Sequence, residues 1–267
     1  MGADTKSLRT RIRSVDSTLH LTKAMGLVAS SKIRKANDRM LRGREYAAAV
    51  SGVVEDLSAS PECQRSPYMR QTTGERVRLI VIAGDRGLCG GYNANIFRLM
   101  REYPDAEVIP IGKRAWERYG GDFYPSETYS SAEGSVLAER LCREFTAGEF
   151  DRLGIVSSRY LSVLSQQATV TWVLPLEKKS EGTRQGTLFE PDEAEILNAA
   201  VPEYVSGVLM ACVRESFACE VAARRTAMDS AGKNAEEMIG QLQLEYNRAR
   251  QSAITQEITE IVAGAGE

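Results

Sequence analysis

A glycine-rich loop at residues 84–91 (GDRGLCGG) is the first segment whose residue types could do chemistry. It follows a β-rich run and precedes a helical stretch, which is where backbone N–H groups often bind phosphate. Its glycine spacing matches neither GxGxxG nor GxxxxGK[ST]. We therefore predict a tight turn with close helix–strand packing, and we interpret Asp85 and Arg86 as a local ion pair or a partner contact.

The usual catalytic and metal-binding side chains form no constellation in this sequence. His20 is the only histidine, so neither a histidine-rich metal site nor a Ser-His-Asp triad is expected. The cysteines are odd in number and include no CxxC pair, which indicates reduced thiols: Cys63, Cys89, Cys142, Cys212 and Cys219. We predict no catalytic residue, no metal and no cofactor.

A polar group near the C-terminus has a more specific spacing. Asn247, Arg250, Gln251 and Thr255 stand at i, i+3, i+4 and i+8, so they share one face of a helix. Spacing alone leaves two interpretations open. The group is either an ordinary solvated face or a directional polar contact with a protein partner.

The two ends of the chain have the composition of very long helices. All prolines lie between residues 61 and 202, and proline costs about 3 kcal/mol inside a helix. Apolar residues step by three and four near both ends: Leu8, Ile12, Val15 and Leu19, then Met228, Ala231, Ala235, Met238 and Leu242, with Ile254, Ile258 and Ile261 taking over late. We predict helices over 1–60 and 192–267 that pair with each other, because stripes of this spacing form coiled coils.

The middle of the chain alternates between the two kinds of secondary structure. Strands are predicted at 76–83, 107–111, 153–157 and 168–174, and helices at 92–103, 113–119 and 133–146. This alternation is typical of an α/β domain whose sheet is at least partly parallel, here spanning 75–176. The charged, glycine-containing segment 177–191 is predicted to be a flexible loop.

Composition excludes several classes of protein. The formal net charge is -2, with 43% hydrophobic and 26% charged residues, so a uniformly basic nucleic-acid binder is not expected. No run of about 18 apolar residues and no apolar signal core is present, which predicts a cytoplasmic chain without membrane insertion. Residues 1–46 carry +7 and residues 192–267 carry -7, so these segments attract each other or address different partners.

Four segments resemble the gamma subunit of the rotary F-type ATP synthase. They are LHLTKAMGLVASSK at 19–32, GDRGLCGGYN at 84–93, ESFACEVAARRTAMDS at 215–230 and LEYNRARQSAITQEITEIVAG at 244–264. They occur in the order of that family and span the whole chain. The resemblance implies an α/β fold in which the N- and C-terminal helices form a long antiparallel coiled coil beside a small central Rossmann-like domain.

The resemblance also implies a function. The coiled coil would lie inside a ring of three α and three β subunits, and the central domain would contact the ε subunit and the membrane c-ring. As the central stalk, or rotor, such a chain couples ion flow through the c-ring to ATP synthesis or hydrolysis and cleaves no bond itself. It would lie at the cytoplasmic face of the bacterial inner membrane as a peripheral component.

Contacts with the α/β ring are implied only at positions that match the family's motifs. Arg250 and Gln251, with Asn247 on the same face, resemble a polar catch on β-subunit loops. Further contacts with the ring are implied for Lys23 and Met25 on the N-terminal helix and for Cys89, which would lie beneath the moving lever segments of the β subunits. Ile261 and Val262 would lie at the C-terminal end of the coiled coil, in an apolar sleeve (the bearing) formed by the ring.

Other classes of protein make different predictions. A coiled-coil scaffold with a small α/β domain needs no ATP synthase partner. A nucleic-acid binder that uses the basic N-terminal helix predicts strongly salt-dependent DNA binding. A small enzyme with a nucleotide at residues 84–91 predicts saturable binding that Gly87→Val abolishes.

Overall fold

The computed structural model describes residues 2–72, 75–177 and 192–264. These form two compact units: a terminal unit of residues 1–30 and 224–267, and a central unit of residues 31–223. Of the predicted flexible loop 177–191, all but the first residue lies outside the described ranges, so that expectation stays a prediction.

Helices and strands alternate between two very long terminal helices. In chain order the helices are α1 (Gly2–Ser58), α2 (Tyr92–Leu99), α3 (Lys113–Tyr119), α4 (Ser131–Ala147) and α5 (Glu193–Gly264), with short 3-10 turns at Glu62–Arg65, Pro67–Met69 and Met100–Glu102. The strands are β1 (Val77–Ile82), β2 (Glu107–Ile111), β3 (Arg152–Tyr160) and β4 (Gln166–Leu174). Both predicted long helices are present, of 57 and 72 residues, and Pro202 is accommodated near the start of α5.

The apolar stripe on α1 is the predicted one. Leu8, Ile12 and Val15 are partly buried and Leu19 is buried. On α5 the prediction was wrong at Met238, which is 42% exposed, whereas Ile239 is partly buried. Steps of four and three from Ala235 through Ile239 to Leu242 keep the stripe on one side of the helix, because these steps average close to one helical turn in 3.6 residues.

The central unit contains one four-stranded sheet in the order β2-β1-β3-β4. Strand β1 pairs in parallel with β2 and with β3, while β3 and β4 are antiparallel. The prediction of a partly parallel α/β domain is therefore confirmed. Strand β3 is longer than predicted because its end, Tyr160, pairs with Gln166 across a hairpin.

Both faces of the sheet are covered within the central unit. One face packs on α4 and on the central-unit parts of α1 and α5, with Ile80, Phe145 and Leu209 fully buried. The other face packs on α2 and α3 through Leu79, Ile96 and Ala115. Parallel strands need this cover on both sides, which explains the nearly continuous apolar sequence of β1.

Helix α5 contains a window that passes a composition test for a membrane span, contrary to our expectation from the sequence. Its 18-residue window has a mean hydropathy of 1.5 and is 56% buried. The buried apolar side chains near the start of α5 include Leu197, Val201 and Val205, which belong to the core of the central unit. Core helices of globular domains pass the same test.

Helix α4 begins with a reciprocal cap. The Ser130 side chain accepts a hydrogen bond from the Glu133 N–H, and Glu133 accepts one from the Ser130 N–H. Hydrogen bonds from Ser130 hold the pKa of Glu133 below its usual range. The stability from this shift is present above the unfolded-state pKa and is lost as the pH falls through the folded-state pKa.

Removing this cap should weaken the central unit measurably. We expect Ser130→Ala to lower the free energy of unfolding by about 1 kcal/mol, because the N-terminal N–H groups of α4 lose an acceptor. Ser131→Ala is the matched control, since Ser131 follows the cap and should change stability by under about 0.5 kcal/mol. Urea denaturation of the purified chain measures both, and equal losses would contradict the cap assignment.

Candidate partner-binding surfaces

The terminal unit is an antiparallel pair of helices. The guanidinium of Arg9 donates to the hydroxyl of Tyr246 at 2.6 Å, and Lys23 pairs with Glu236 at 2.7 Å. Positions therefore rise on α1 as they fall on α5. At Gly26, an added Cβ would lie 3.7 Å from that of Met228, so the helices approach closely there. The antiparallel pairing implied by the family resemblance is confirmed.

Opposite charges of the two terminal segments do attract each other, as the sequence suggested. Besides Lys23 and Glu236, Arg44 on α1 pairs with Glu215 on α5 at 2.6 Å within the central unit. The side chains of Lys23 and Glu236 are 57% and 53% exposed, and exposed pairs contribute at most about 1 kcal/mol. An acidic group of a partner can therefore replace Glu236 as the partner of Lys23 with little loss of stability. Met25, close to Lys23 on the same helix, is partly buried.

The predicted polar face of α5 is open. Asn247, Arg250 and Gln251 are exposed, and within the described ranges their side chains make no hydrogen bond or ion pair. Arginine offers a planar set of donors that fits a carboxylate, while the two amides can both donate and accept. Thr255 differs, because its hydroxyl donates to the Gln251 carbonyl at 2.9 Å. The face can therefore bind carboxylates and backbone carbonyls of a partner.

Beyond this face, the end of α5 is apolar and exposed. Ile254 and Ile258 are 46% and 56% exposed, and Ile261 and Val262 are 70% and 67% exposed. Contiguous exposed apolar side chains are typical of protein–protein contact sites. This end of the helix has the chemistry of a surface that another protein covers.

The loop 84–91 is organised by Asp85. Its carboxylate accepts hydrogen bonds from the backbone N–H groups of Lys113, Ser126 and Glu127 and from the Ser126 hydroxyl, at 2.9 to 3.1 Å. The predicted Asp85–Arg86 pair is therefore wrong. Four donors held by neighbouring loops satisfy the carboxylate better than one flexible guanidinium, and Arg86 lies 3.5 Å from Glu127 instead.

Cys89 does not present its side chain at the surface. It is 2% exposed, and the Asn93 amide lies 3.2 Å from its sulfur. The exposed apolar side chain of the loop is Leu88, which is 62% exposed and has φ of 58°, a conformation that bulky residues rarely adopt. From the sequence we selected Cys89 and did not consider Leu88, although an apolar residue between Gly87 and Cys89 was a usable signal of an exposed contact.

The residues beneath this loop are tightly packed and inert. An added Cβ at Gly84 would lie 2.8 Å from the Glu220 carboxyl carbon, so the loop packs closely against α5. Burial raises the pKa of the nearby Cys219 thiol, and the charge of Glu215 raises it further. Burial likewise raises the pKa of Cys212 to about 11. These thiols therefore stay protonated at neutral pH.

All cysteines of the sequence lie in described ranges, and none forms a disulfide, as predicted. Within those ranges no group of three or more His, Cys, Asp or Glu side chains is placed to hold a metal ion.

Comparison with known proteins agrees with the fold and the motifs. A family model described as ATP synthase matches residues 4–266. The ATP synthase gamma chain of Ruminococcus albus is 39% identical over 97% of this chain and 96% of its own length. That of Geotalea daltonii is 36% identical over 98% of both chains.

Solved structures share the fold. The rotor of the Euglena gracilis mitochondrial ATP synthase matches 95% of this chain and 100% of that chain, with a TM-score of 0.68 and 18% identity. A central-stalk structure from Tetrahymena thermophila mitochondrial ATP synthase matches 79% of this chain and 99% of that chain, with a TM-score of 0.62 and 20% identity. Because the family model and the bacterial relatives both match nearly the whole chain, this protein belongs to the ATP synthase gamma-chain family.

Proposed function

We propose that this chain is the central rotor-stalk subunit of an F-type ATP synthase. It couples ion flow through a membrane c-ring to ATP synthesis or hydrolysis at an α3β3 ring, and it performs no catalysis itself. The observation that supports this most directly is the antiparallel helix pair. Its apolar side chains pack between the two helices, whereas the polar groups of Asn247, Arg250 and Gln251 are exposed and available to a partner.

Asymmetry of the helix pair supplies the mechanism. One helix is basic and the other acidic, so different sides of the pair offer different contacts to the surrounding subunits. A rotor of this kind shifts a β subunit between conformations only by binding them unequally. A difference of about 1.4 kcal/mol changes the ratio of two conformations tenfold, which is within reach of a few charge-assisted hydrogen bonds.

The proposed contacts follow from the exposed groups of the terminal unit. Arg250 and Gln251 hold loops of a β subunit, with Asn247 beside them. Lys23 and Met25 meet the ring on the N-terminal helix. Ile261 and Val262 lie in an apolar bearing that covers the exposed end of α5.

In the central unit, the proposed contact of Cys89 with the ring is made through its neighbour. Leu88 carries the exposed apolar surface of the loop, and Cys89 anchors the loop from below. The central unit also contacts an ε subunit and the c-ring. As a peripheral subunit of this complex, the chain would lie at the cytoplasmic face of a bacterial inner membrane.

Reconstitution tests the proposal. We would measure ATP hydrolysis by the α and β subunits of the same source, with and without this chain. Incorporation of one copy per three αβ pairs with raised turnover would support the rotor function. If the chain neither co-assembles nor changes turnover, the coiled-coil scaffold becomes the better interpretation.

Hydrogen exchange tests whether the ring is needed to order the helix ends. In the isolated chain we expect little protection at the start of α1 and beyond Leu242 on α5, because the stripe there is thin and the late isoleucines are exposed. Binding to the α3β3 ring should protect both segments. Full protection of residues 1–30 in the isolated chain would contradict this expectation.

A further inference from the structure

A cleft of about 630 Å³ opens in the central unit between α1, the start of α4 and α5. This volume is in the range of small-molecule sites, which is about 300–1,000 Å³. No residue of the loop 84–91 lines it, although Ser126 and Glu127 of the cleft wall contact Asp85 and Arg86. Arg39 and Arg42 on α1 and Arg214 on α5 line it.

In the described ranges, none of these arginines is paired with a carboxylate. Within the described part of the chain, none of the three guanidinium groups makes a hydrogen bond or an ion pair. The carboxylate that also lines the cleft, Glu127, is held by Lys32 at 2.6 Å and lies 3.5 Å from Arg86. Like charges gathered without partners create a positive potential, which an incoming anion would neutralise.

The far wall adds further groups that favour an anion. Tyr129 also lines the cleft, and its hydroxyl, which is buried from solvent, has no hydrogen-bond partner in the described structure. Ser130, the N-cap residue of the 17-residue helix α4, and Ser131, its first residue, line the same wall. The positive end of a helix favours an anion there. The carboxylate of Glu133, bound by the Ser130 N–H and hydroxyl, offsets part of this positive end, so the arginines supply most of the attraction.

Beside the arginines the cleft is apolar. Met210, Val213 and Phe217 on α5 line it, and the Phe217 ring is partly exposed. A ligand that fits both surfaces carries a charged oxyanion group at one end and a flat or apolar group at the other. Guanidinium groups bind phosphate oxygens in paired hydrogen bonds, and an aromatic ring offers a base a surface for stacking.

We propose that this cleft is a binding site for a phosphate-bearing small molecule, whose phosphates are held by Arg39, Arg42 and Arg214. Inorganic pyrophosphate and a nucleotide share this chemistry. Only the nucleotide has a base that can contact the apolar wall of the cleft. This site goes beyond the rotor function, and its occupancy is measured on the chain alone, so either proposal can fail without the other.

Calorimetric titration of the purified full chain with phosphate, pyrophosphate, ADP and ATP tests the site. We expect saturable binding of pyrophosphate, with nucleotides at least as tight if Phe217 contacts the base. Arg39→Ala with Arg42→Ala should weaken binding about tenfold or more, because two charge-assisted contacts are lost.

A charge-matched control uses the same helix. Arg34 and Lys35 are exposed and lie outside the cleft lining, so Arg34→Ala with Lys35→Ala should bind as the wild type does. Thermal unfolding of each variant verifies that it is folded. The proposal is overturned if no probe binds at millimolar concentration, or if the cleft variant and the control lose affinity equally. If no phosphate probe binds but partner subunits protect the cleft from hydrogen exchange, the cleft binds an acidic polypeptide and the proposal is wrong.

Discussion

Arg250→Ala combined with Gln251→Ala should lower assembly of the chain with α and β subunits by about tenfold or more, and ATP turnover with it. The structure leaves both side chains exposed and without hydrogen-bond partners in the described ranges, so their donors are available to a partner loop. Because neither side chain supports the chain's own fold, the unfolding temperature of the isolated variant should stay that of the wild type.

A matched control removes the same residue types elsewhere. Arg101 and Gln167 are exposed in the central unit, so Arg101→Ala with Gln167→Ala loses one guanidinium and one amide away from the proposed catch. Sedimentation and ATP hydrolysis of the reconstituted complex measure both variants. If the Arg250 and Gln251 variant assembles and turns over at the wild-type rate, the catch assignment is wrong.

Gly112→Ala should unfold or severely destabilise the central unit. Gly112 has φ of +93°, and an added Cβ would lie 1.9 Å from the carbonyl oxygen of Ala83. A methyl group cannot approach a backbone oxygen this closely, so β1 and the turn before α3 must separate. We expect a loss of at least about 4 kcal/mol. The unfolding temperature should fall by about 10 °C or more.

A second glycine separates steric overlap from backbone strain. Gly120 also has positive φ, +73°, but an added Cβ there meets nothing within 4 Å. Gly120→Ala should therefore cost only about 1–3 kcal/mol, from a backbone conformation (φ +73°, ψ -160°) that residues with a side chain rarely adopt. Both tryptophans, Trp116 and Trp172, lie in the central unit, so tryptophan fluorescence reports its unfolding directly. Equal losses for the two glycines would contradict the steric explanation.

The proposed rotor contacts and the fold depend on different residues. Gly112 and Asp85 hold the central unit together, whereas Arg250 and Gln251 face outward and leave the fold alone. Substitutions at these two sets should therefore be separable, with unfolding changed by the first and assembly by the second. This separation allows loss of a partner contact to be distinguished from loss of the folded chain.

Pattern alone predicted much of the fold. The proline-free ends with apolar steps of three and four predicted both long helices, because helix propensity and steric exclusion act over a few neighbouring residues. The same local reasoning predicted β2 and α3 with the bounds that the structure shows. It could not predict that Ile239 is more buried than Met238, because the sequence of one helix does not specify which of two adjacent apolar residues its partner helix covers.

At the loop 84–91, residue type was a poor guide to position. The residue types suggested that Asp85 and Arg86 form a local ion pair or a partner contact, and the family resemblance suggested that Cys89 contacts the α/β ring. The structure buries the thiol, exposes Leu88 and gives Asp85 four donors from residues that lie 28 to 42 positions away in the sequence. Burial and hydrogen bonding of a loop depend on what packs against it, and that information is absent from the loop's own composition.

By itself, the sequence determined the long helices, the alternating strands and helices of the central unit, and the motifs that identify the family. These follow from short-range periodicity and from residue order. Only the tertiary structure decided which side chains meet, as it did for Arg39, Arg42 and Arg214, which line one cleft although α1 and α5 lie at opposite ends of the chain. The physical reason is that the burial and electrostatic environment of a side chain depend on segments far away in the sequence. A local sequence pattern does not specify which distant segments will pack together.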